Sequence, residues 1–323
     1  MPEFDLPLEQ LTSYLPERRE PQDWQVFWDS TLAEAREHDL AVQTRAAADY
    51  LTNVITHDVS FAGFGGHRIN AWHLRPASGE IQGTVVQFLG YGDGRGTPLD
   101  WLARPAAGFA TLVVDTRGQG ARARRGGSTG DPAGSASPHV EGFLTRGILD
   151  PHDYYYRRVF TDAVRAVEAA LALDGTDPER LAVAGASQGG AIALAATALA
   201  GDLVRASVIG VPFLADVRRA VRITDERPYY ELVAFLGTHR ADAETALRTM
   251  DYVDGITMAA HATAPARFSI ALMDTICPPS GGFGVYNHYA GAKQVDIHPY
   301  NNHEAGEADD EIAAIRWLQD LWT

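Results

Sequence analysis

Leu181-Ala182-Val183-Ala184-Gly185-Ala186-Ser187-Gln188-Gly189, continued by Ala191-Ile192-Ala193-Leu194-Ala195-Ala196, decides how this chain is read. An apolar run leads into G-x-S-x-G, and a small-residue helical pattern follows. Strand, G-x-S-x-G and helix in that order is the context of a nucleophile elbow. The turn is tight, so small residues must flank the serine. It lifts the Ser187 hydroxyl above the carboxyl edge of a sheet. The backbone N–H of Gln188 is then free to stabilise an oxyanion. A chain with 31 glycines can also produce such a pentapeptide by chance, but the strand and helix on either side favour the elbow.

Outward from the elbow the sequence has an α/β rhythm. Candidate strands are 84–89, 110–115, 181–184, 207–211, 267–273 and 294–300. Helical patterns lie between several of them. Phe160, Val164, Val167 and Leu171 make one apolar stripe, and Ile312, Ile315, Leu318 and Trp322 another. Two alternating runs, 54–61 and 68–75, flank Gly63-Phe64-Gly65-Gly66 and read as a β-hairpin. The expected architecture is an α/β-hydrolase fold: a mostly parallel sheet of about eight strands with helices on both faces. The whole chain, 1–323, reads as one such domain. Residues 1–50 form an N-terminal helical arm, with Trp24, Phe27, Trp28 and Leu32 at helical spacing. Residues 117–152 show no clear strand or helix and are long for a connection, which marks them as functional, interfacial or disordered. Arg122, Arg124 and Arg125 within it read as a solvated or salt-bridged loop.

A serine hydroxyl is a weak nucleophile. It needs a base, and the base needs a carboxylate to fix its tautomer. In an elbow enzyme the order is Ser, acid, His. Asp274 directly follows the strand 267–273 and precedes the breaker run Thr275-Ile276-Cys277-Pro278-Pro279, which places it on a loop at the carboxyl edge. The competing role is a cap for a helix beginning near Ser280. His303 lies on the loop after the last strand, where the base belongs. His298 competes but sits inside the alternating run, and His288 belongs to a helical pattern. A second oxyanion donor is expected from the loop after an early strand. Gly90-Tyr91-Gly92-Asp93-Gly94-Arg95-Gly96 follows the strand 84–89, and the backbone N–H of Tyr91 is the candidate. A flexible turn would carry the same glycines. A dinucleotide cradle fits the spacing poorly, and no ribose-binding acid follows.

With 42 acidic and 27 basic residues the formal net charge is −15, which disfavours nucleic acid or an anionic membrane as partner. The lone cysteine, Cys277, excludes an intramolecular disulfide and reads as a buried small hydrophobe. The acidic start, Met1-Pro2-Glu3-Phe4-Asp5-Leu6-Pro7, lacks the basic region and apolar run of a signal peptide, and no window approaches a membrane span. A cytoplasmic location is expected. The eleven histidines form no H-E-x-x-H or similar cluster, so no metal is implied, and no cofactor is required.

These residues carry a resemblance. The chain resembles the acetyl xylan esterase/cephalosporin C deacetylase family, carbohydrate esterase family seven, over essentially its whole length. The likeness rests on the elbow, on Arg117-Gly118-Gln119, on Asp274 to Pro279 and on His303-Glu304. It also rests on Gly142-Phe143-Leu144-Thr145-Arg146-Gly147-Ile148-Leu149-Asp150-Pro151 and Tyr154-Tyr155-Tyr156-Arg157-Arg158. The resemblance implies a Ser187–His303–Asp274 triad and an oxyanion hole from Tyr91 and Gln188. It implies removal of acetyl groups from small acetylated sugars, xylo-oligosaccharides and cephalosporins. It also implies a homohexamer, a trimer of dimers that uses the long insertion as interface. Two rival classes remain at this point. One is another serine hydrolase, a peptidase or lactonase. The other is a non-catalytic binding protein that has kept the fold.

Overall fold

The computed structural model describes residues 4–133, 137, 139 and 141–323. Nine strands form one sheet: β1 Gln43–Ala47, β2 Val54–Ala62, β3 Arg68–Pro76, β4 Thr84–Gln87, β5 Ala110–Val114, β6 Leu181–Ala186, β7 Ala206–Gly210, β8 Ala266–Ala271 and β9 Lys293–His298. Their order across the sheet is β1-β2-β3-β5-β4-β6-β7-β8-β9. The first three strands run antiparallel to their neighbours, and from β5 onward all pairs are parallel. This is the mixed sheet of an α/β-hydrolase fold.

The expected count was about eight. The additional strand is β1, inside the stretch read as a helical arm. Its sequence, Gln43-Thr44-Arg45-Ala46-Ala47, is almost wholly exposed and has no apolar alternation to betray it. It is held by pairing with β2, where Arg45 lies opposite Asp58 and donates to it over 2.9 Å. The helix of the arm is present as Trp24–Arg36. Trp24 and Trp28 are buried, and both indole N–H groups donate to the Tyr252 carbonyl.

Alternation along the central strands sorts the core into two layers. Val86, Leu112 and Val183 face the helices Tyr155–Leu171 and Gln188–Ala200. Val85, Ala182 and Ala184 face the opposite way, against Leu318, Ile315 and Trp322 at the end of the helix Glu307–Leu321. Ile312, counted in that stripe from sequence, is exposed instead. The helix Tyr155–Leu171 is buried on almost every side, including Arg157, Arg158, Asp162 and Arg165. The apolar stripe of Phe160, Val164, Val167 and Leu171 announces only one of those faces. The charges are tolerated because they are paired, as buried charges must be.

Arg117 is fully buried. It donates to both Asp162 oxygens at 2.5 and 2.7 Å and to Asp131 at 3.4 Å, and Arg158 closes the cluster on Asp131 at 3.1 Å. The described part of residues 117–152 has neither helix nor extended strand, yet it is anchored. Asp115 accepts from the Ser128 N–H and hydroxyl, and Arg125 pairs with Asp93. Arg122 pairs with Glu141. Residues 134–136, 138 and 140 of the expected interface lie outside the described residues. Among the described residues, no helix is long and apolar enough to cross a membrane.

Candidate active site

At the end of β6 the backbone turns sharply. Ser187 has φ +58° and ψ −125°, a region that non-glycine residues enter at a cost of about 1–3 kcal/mol. The surrounding packing holds it there. The Ser187 N–H donates to the Gly210 carbonyl at 3.0 Å, and the Ser187 carbonyl accepts from Phe213 and Ala191. Both glycines of the motif are sterically required. A Cβ on Gly185 would lie 2.2 Å from the Gly189 carbonyl oxygen, and one on Gly189 would lie 2.6 Å from that of Phe88. Ser187 is half-buried at the head of the helix Gln188–Ala200.

Asp274 follows β8 and is completely buried. Its two oxygens divide their work. Oδ1 accepts the N–H groups of Ile276 and Cys277, each at 2.9 Å, and Oδ2 meets His303 Nδ1 at 2.8 Å. The helix that follows begins at Pro279, and Asp274 does not cap it. Asn302 stitches the acid and histidine loops together: its Oδ1 accepts the N–H of Thr275 at 3.2 Å and of His303 at 2.9 Å. His298 lies at the end of β9 and spends Nε2 on Asp310, 2.8 Å away. His288 ends the helix Pro279–His288, with Nε2 2.8 Å from the Pro16 carbonyl. Of the three histidines, only His303 meets Asp274. Ser187 and His303 make no direct hydrogen bond in this geometry; such contacts are often long before substrate arrives.

The loop after β4, the candidate for a second oxyanion donor, is pinned to the elbow by buried amides. The Gln119 side-chain oxygen accepts the Gly92 N–H at 2.7 Å, and its NH₂ donates to Gln188 Oε1 at 2.8 Å. The Gln188 NH₂ reaches back to the Leu89 carbonyl at 3.2 Å, while Tyr156 donates to Gln188 Oε1 at 2.9 Å. Tyr91, next to Gly92, donates its phenol to Glu231 at 2.8 Å and accepts the Phe143 N–H at 2.9 Å. Burial and the neighbouring Glu231 charge push the Tyr91 phenol far above its ordinary range, so it stays a donor. Burial also raises Glu231. The N–H of Gln188 is the first of its helix and has no intrahelical acceptor. Sequence reasoning missed Glu231, for which no motif spoke. The functional weight of Gln119, Tyr155 and Tyr156 was hidden inside runs noted only as resemblance.

Cys277 is buried, as expected of a small hydrophobe, but it is not remote from a histidine. The fold brings it against the Ser187 hydroxyl and close to Asp274 and His303. Burial first, and the Asp274 charge second, push its thiol well above the ordinary range. A separate cavity of about 250 Å³ lies between β6, β7, β8 and the helix Glu307–Leu321. Gly185, Ala186, Gly210 and His303 form part of its wall.

Known proteins resemble this chain over nearly its whole length. The family model described as acetyl xylan esterase (AXE1) matches residues 1–321. The acetyl esterase Axe7A of Xylanibacter ruminicola is 26% identical over 310 residues, covering 94% of this chain and 68% of that protein. The acetyl xylan esterase structure from Paenibacillus sp. R4 superposes with a TM-score of 0.90 at 35% identity, covering 98% of this chain and 99% of the other. Acetyl xylan esterase 1 from Thermoanaerobacterium sp. JW/SL YS485 gives 0.89 at 27% identity, with 99% and 100% covered. With a match that spans nearly every residue and includes the elbow, this chain belongs to the acetyl xylan esterase family and is a carboxylic ester hydrolase acting on acetyl esters.

Proposed function

We propose that the chain is a serine esterase that removes O-acetyl groups from small acetylated saccharides such as xylo-oligosaccharides, and from cephalosporin C-like compounds. The observation that carries the reading is the 2.8 Å contact between His303 Nδ1 and Asp274 Oδ2, beside a serine held in an elbow turn. His303 Nε2 takes the Ser187 proton as Oγ bonds to the acetyl carbon. The Gln188 and Tyr91 N–H groups receive the negative oxygen. The tetrahedral intermediate collapses, and His303 hands the proton to the departing sugar oxygen. Water, deprotonated by the same nitrogen, then attacks the acetyl-serine and releases acetate. Asp274 holds the imidazole tautomer throughout. None of these steps calls for a cofactor.

The site acts on a small soluble ester, in this reading within the cytoplasm and in a hexamer built through residues 117–152. The testing experiment pairs Ser187→Ala with an organophosphonate probe. Wild type is expected to be labelled once per chain. The variant is expected to escape labelling and lose about 10⁴-fold or more in turnover of an acetyl ester while keeping its melting temperature. A variant that retained a tenth of the activity would remove Ser187 from the mechanism.

A further inference from the structure

Asp274 and Cys277 are three residues apart, and His303 is distant in sequence, so no metal-ligand spacing joins them. In the fold they converge. Asp274 Oδ1 accepts the Cys277 N–H, and that turn brings the cysteine back toward the triad. One carboxylate oxygen, the Cys277 Sγ and one His303 ring nitrogen all lie within 4.8 Å of one another. Among the described residues this is the one group of three such side chains so gathered.

We propose that Cys277, His303 and Asp274 form a capture site for a thiophilic divalent cation, with Zn²⁺ as its type, and that the occupied site is inactive; the inactivation, though not the binding, rests on the serine-esterase reading above. His303 Nδ1 is engaged with Asp274, so the lone pair of the neutral ring is on Nε2, the nitrogen that serves Ser187. A carboxylate behind a metal-bound imidazole fixes its tautomer and raises its basicity. Tetrahedral zinc with bonds of about 2.3 Å to sulfur and 2.0–2.1 Å to nitrogen needs those atoms about 3.5 Å apart. On binding, the Cys277 S–H bond breaks, sulfur bonds to the metal and the proton goes to solvent, with no change of oxidation state. The Ser187 oxygen or a water fills a remaining position. A thiolate and an imidazole select Zn²⁺ or Cd²⁺ over Mg²⁺ or Ca²⁺. While Nε2 holds the cation it cannot accept the serine proton.

The test uses the full chain, freed of metal by a chelator and titrated with zinc chloride. Calorimetry is expected to find one ion per chain at micromolar concentration. Hydrolysis of an acetyl ester should fall in step and return on adding chelator, and a hundredfold larger dose of Mg²⁺ should do neither. Substituting Co²⁺ should produce a thiolate charge-transfer band, a signal that a merely structural cysteine would not give. Asp274→Asn is expected to weaken zinc binding by about 10–100-fold, and Cys277→Ala by at least as much. Cys277→Ser, which keeps the side-chain volume, guards against a packing defect. Equal zinc binding by wild type and both cysteine variants, or the absence of the thiolate band, would overturn the site. If zinc binds as described while Ser187→Ala stays active, the esterase mechanism fails and the cation site stands. If zinc does not bind while Ser187→Ala is inert, the reverse holds.

Discussion

At the scale of single residues, the two C-terminal histidines separate by what already occupies them. His298 Nε2 is committed to Asp310 at 2.8 Å, and the pair ties β9 to the first turn of the last helix. His303 has Asp274 behind its Nδ1, which leaves Nε2 as the nitrogen proposed to serve Ser187. His303→Ala is therefore expected to cost about 10⁴-fold in turnover, much like loss of the proposed nucleophile, because a triad of this kind acts as a unit. His298→Ala is expected to change turnover by less than about tenfold and to appear instead as a loss of stability of about 1 kcal/mol. Steady-state kinetics and thermal melts on both variants decide it. The opposite ranking would move the base to His298. The strained Ser187 backbone belongs to the same scale. Its φ of +58° is affordable because Gly210, Phe213 and Ala191 together fix the peptide groups on either side.

Secondary-structure elements set the distance between the two proposed oxyanion donors. The loop after β4 and the head of the helix Gln188–Ala200 come from different elements, so something must fix their spacing. The Gln119–Gln188 amide pair spans that gap, with Gly92, Leu89 and Tyr156 as its further partners. Gln119→Leu keeps the volume but strands the Gly92 N–H and one Gln188 acceptor site. It is expected to lower kcat by about 10–100-fold with little change in KM, since displacements near 1 Å cost on that order. Gln119→Glu keeps an acceptor for Gly92 and should fall between. A KM-only effect, or an unaltered kcat, would remove Gln119 from the positioning role. These contacts also show what was legible beforehand. The elbow and Asp274 each follow a strongly apolar strand, whereas His303 follows the alternating strand β9, so motif and chain order together made them candidates. The amide network was not legible, because a buried glutamine looks like any other glutamine until its partners are known. Strand β1 escaped for a related reason: an exposed edge strand buries nothing, so it leaves no hydrophobic period. Glu231 stands on the helix Tyr229–Thr238, remote in sequence from the Tyr91 phenol it accepts. The burial of the charges on Tyr155–Leu171 was not legible either, since only the fold supplies Asp131 and Glu34 as their partners.

For the whole molecule, pH and assembly are the informative variables. His73 in β3 is buried, and its Nε2 has no hydrogen-bond partner. Burial first, and the neighbouring His57 and Arg75 second, hold its pKa down from 6.5 to about 4. The folded state thus prefers neutral His73. Its stabilising contribution is complete above about pH 6.5 and is lost as pH falls through about 4, on the order of 3 kcal/mol in all. His73→Phe should flatten the acid limb of the melting-temperature profile between those values, and an unchanged limb would discount the residue. Assembly concerns residues 117–152, which are anchored at Asp115, Arg117 and Asp131 and lack regular elements in their described part. A long loop held so firmly at its base has given up conformational freedom without forming a core of its own. An interface would account for that cost. If it offers the same patch to a second copy, a two-fold contact follows, and further contacts between such dimers close a ring. A closed hexamer would turn its active sites toward an inner space that small acetylated oligosaccharides enter and polymeric xylan does not. Light scattering is then expected to give a mass near six chains. Removing part of residues 126–139 should reduce that mass, and acetylated polymer should gain ground on acetylated oligomer as substrate. A monomer that deacetylates polymer and oligomer equally well would rule out the ring and its sieving, and would leave the triad chemistry standing.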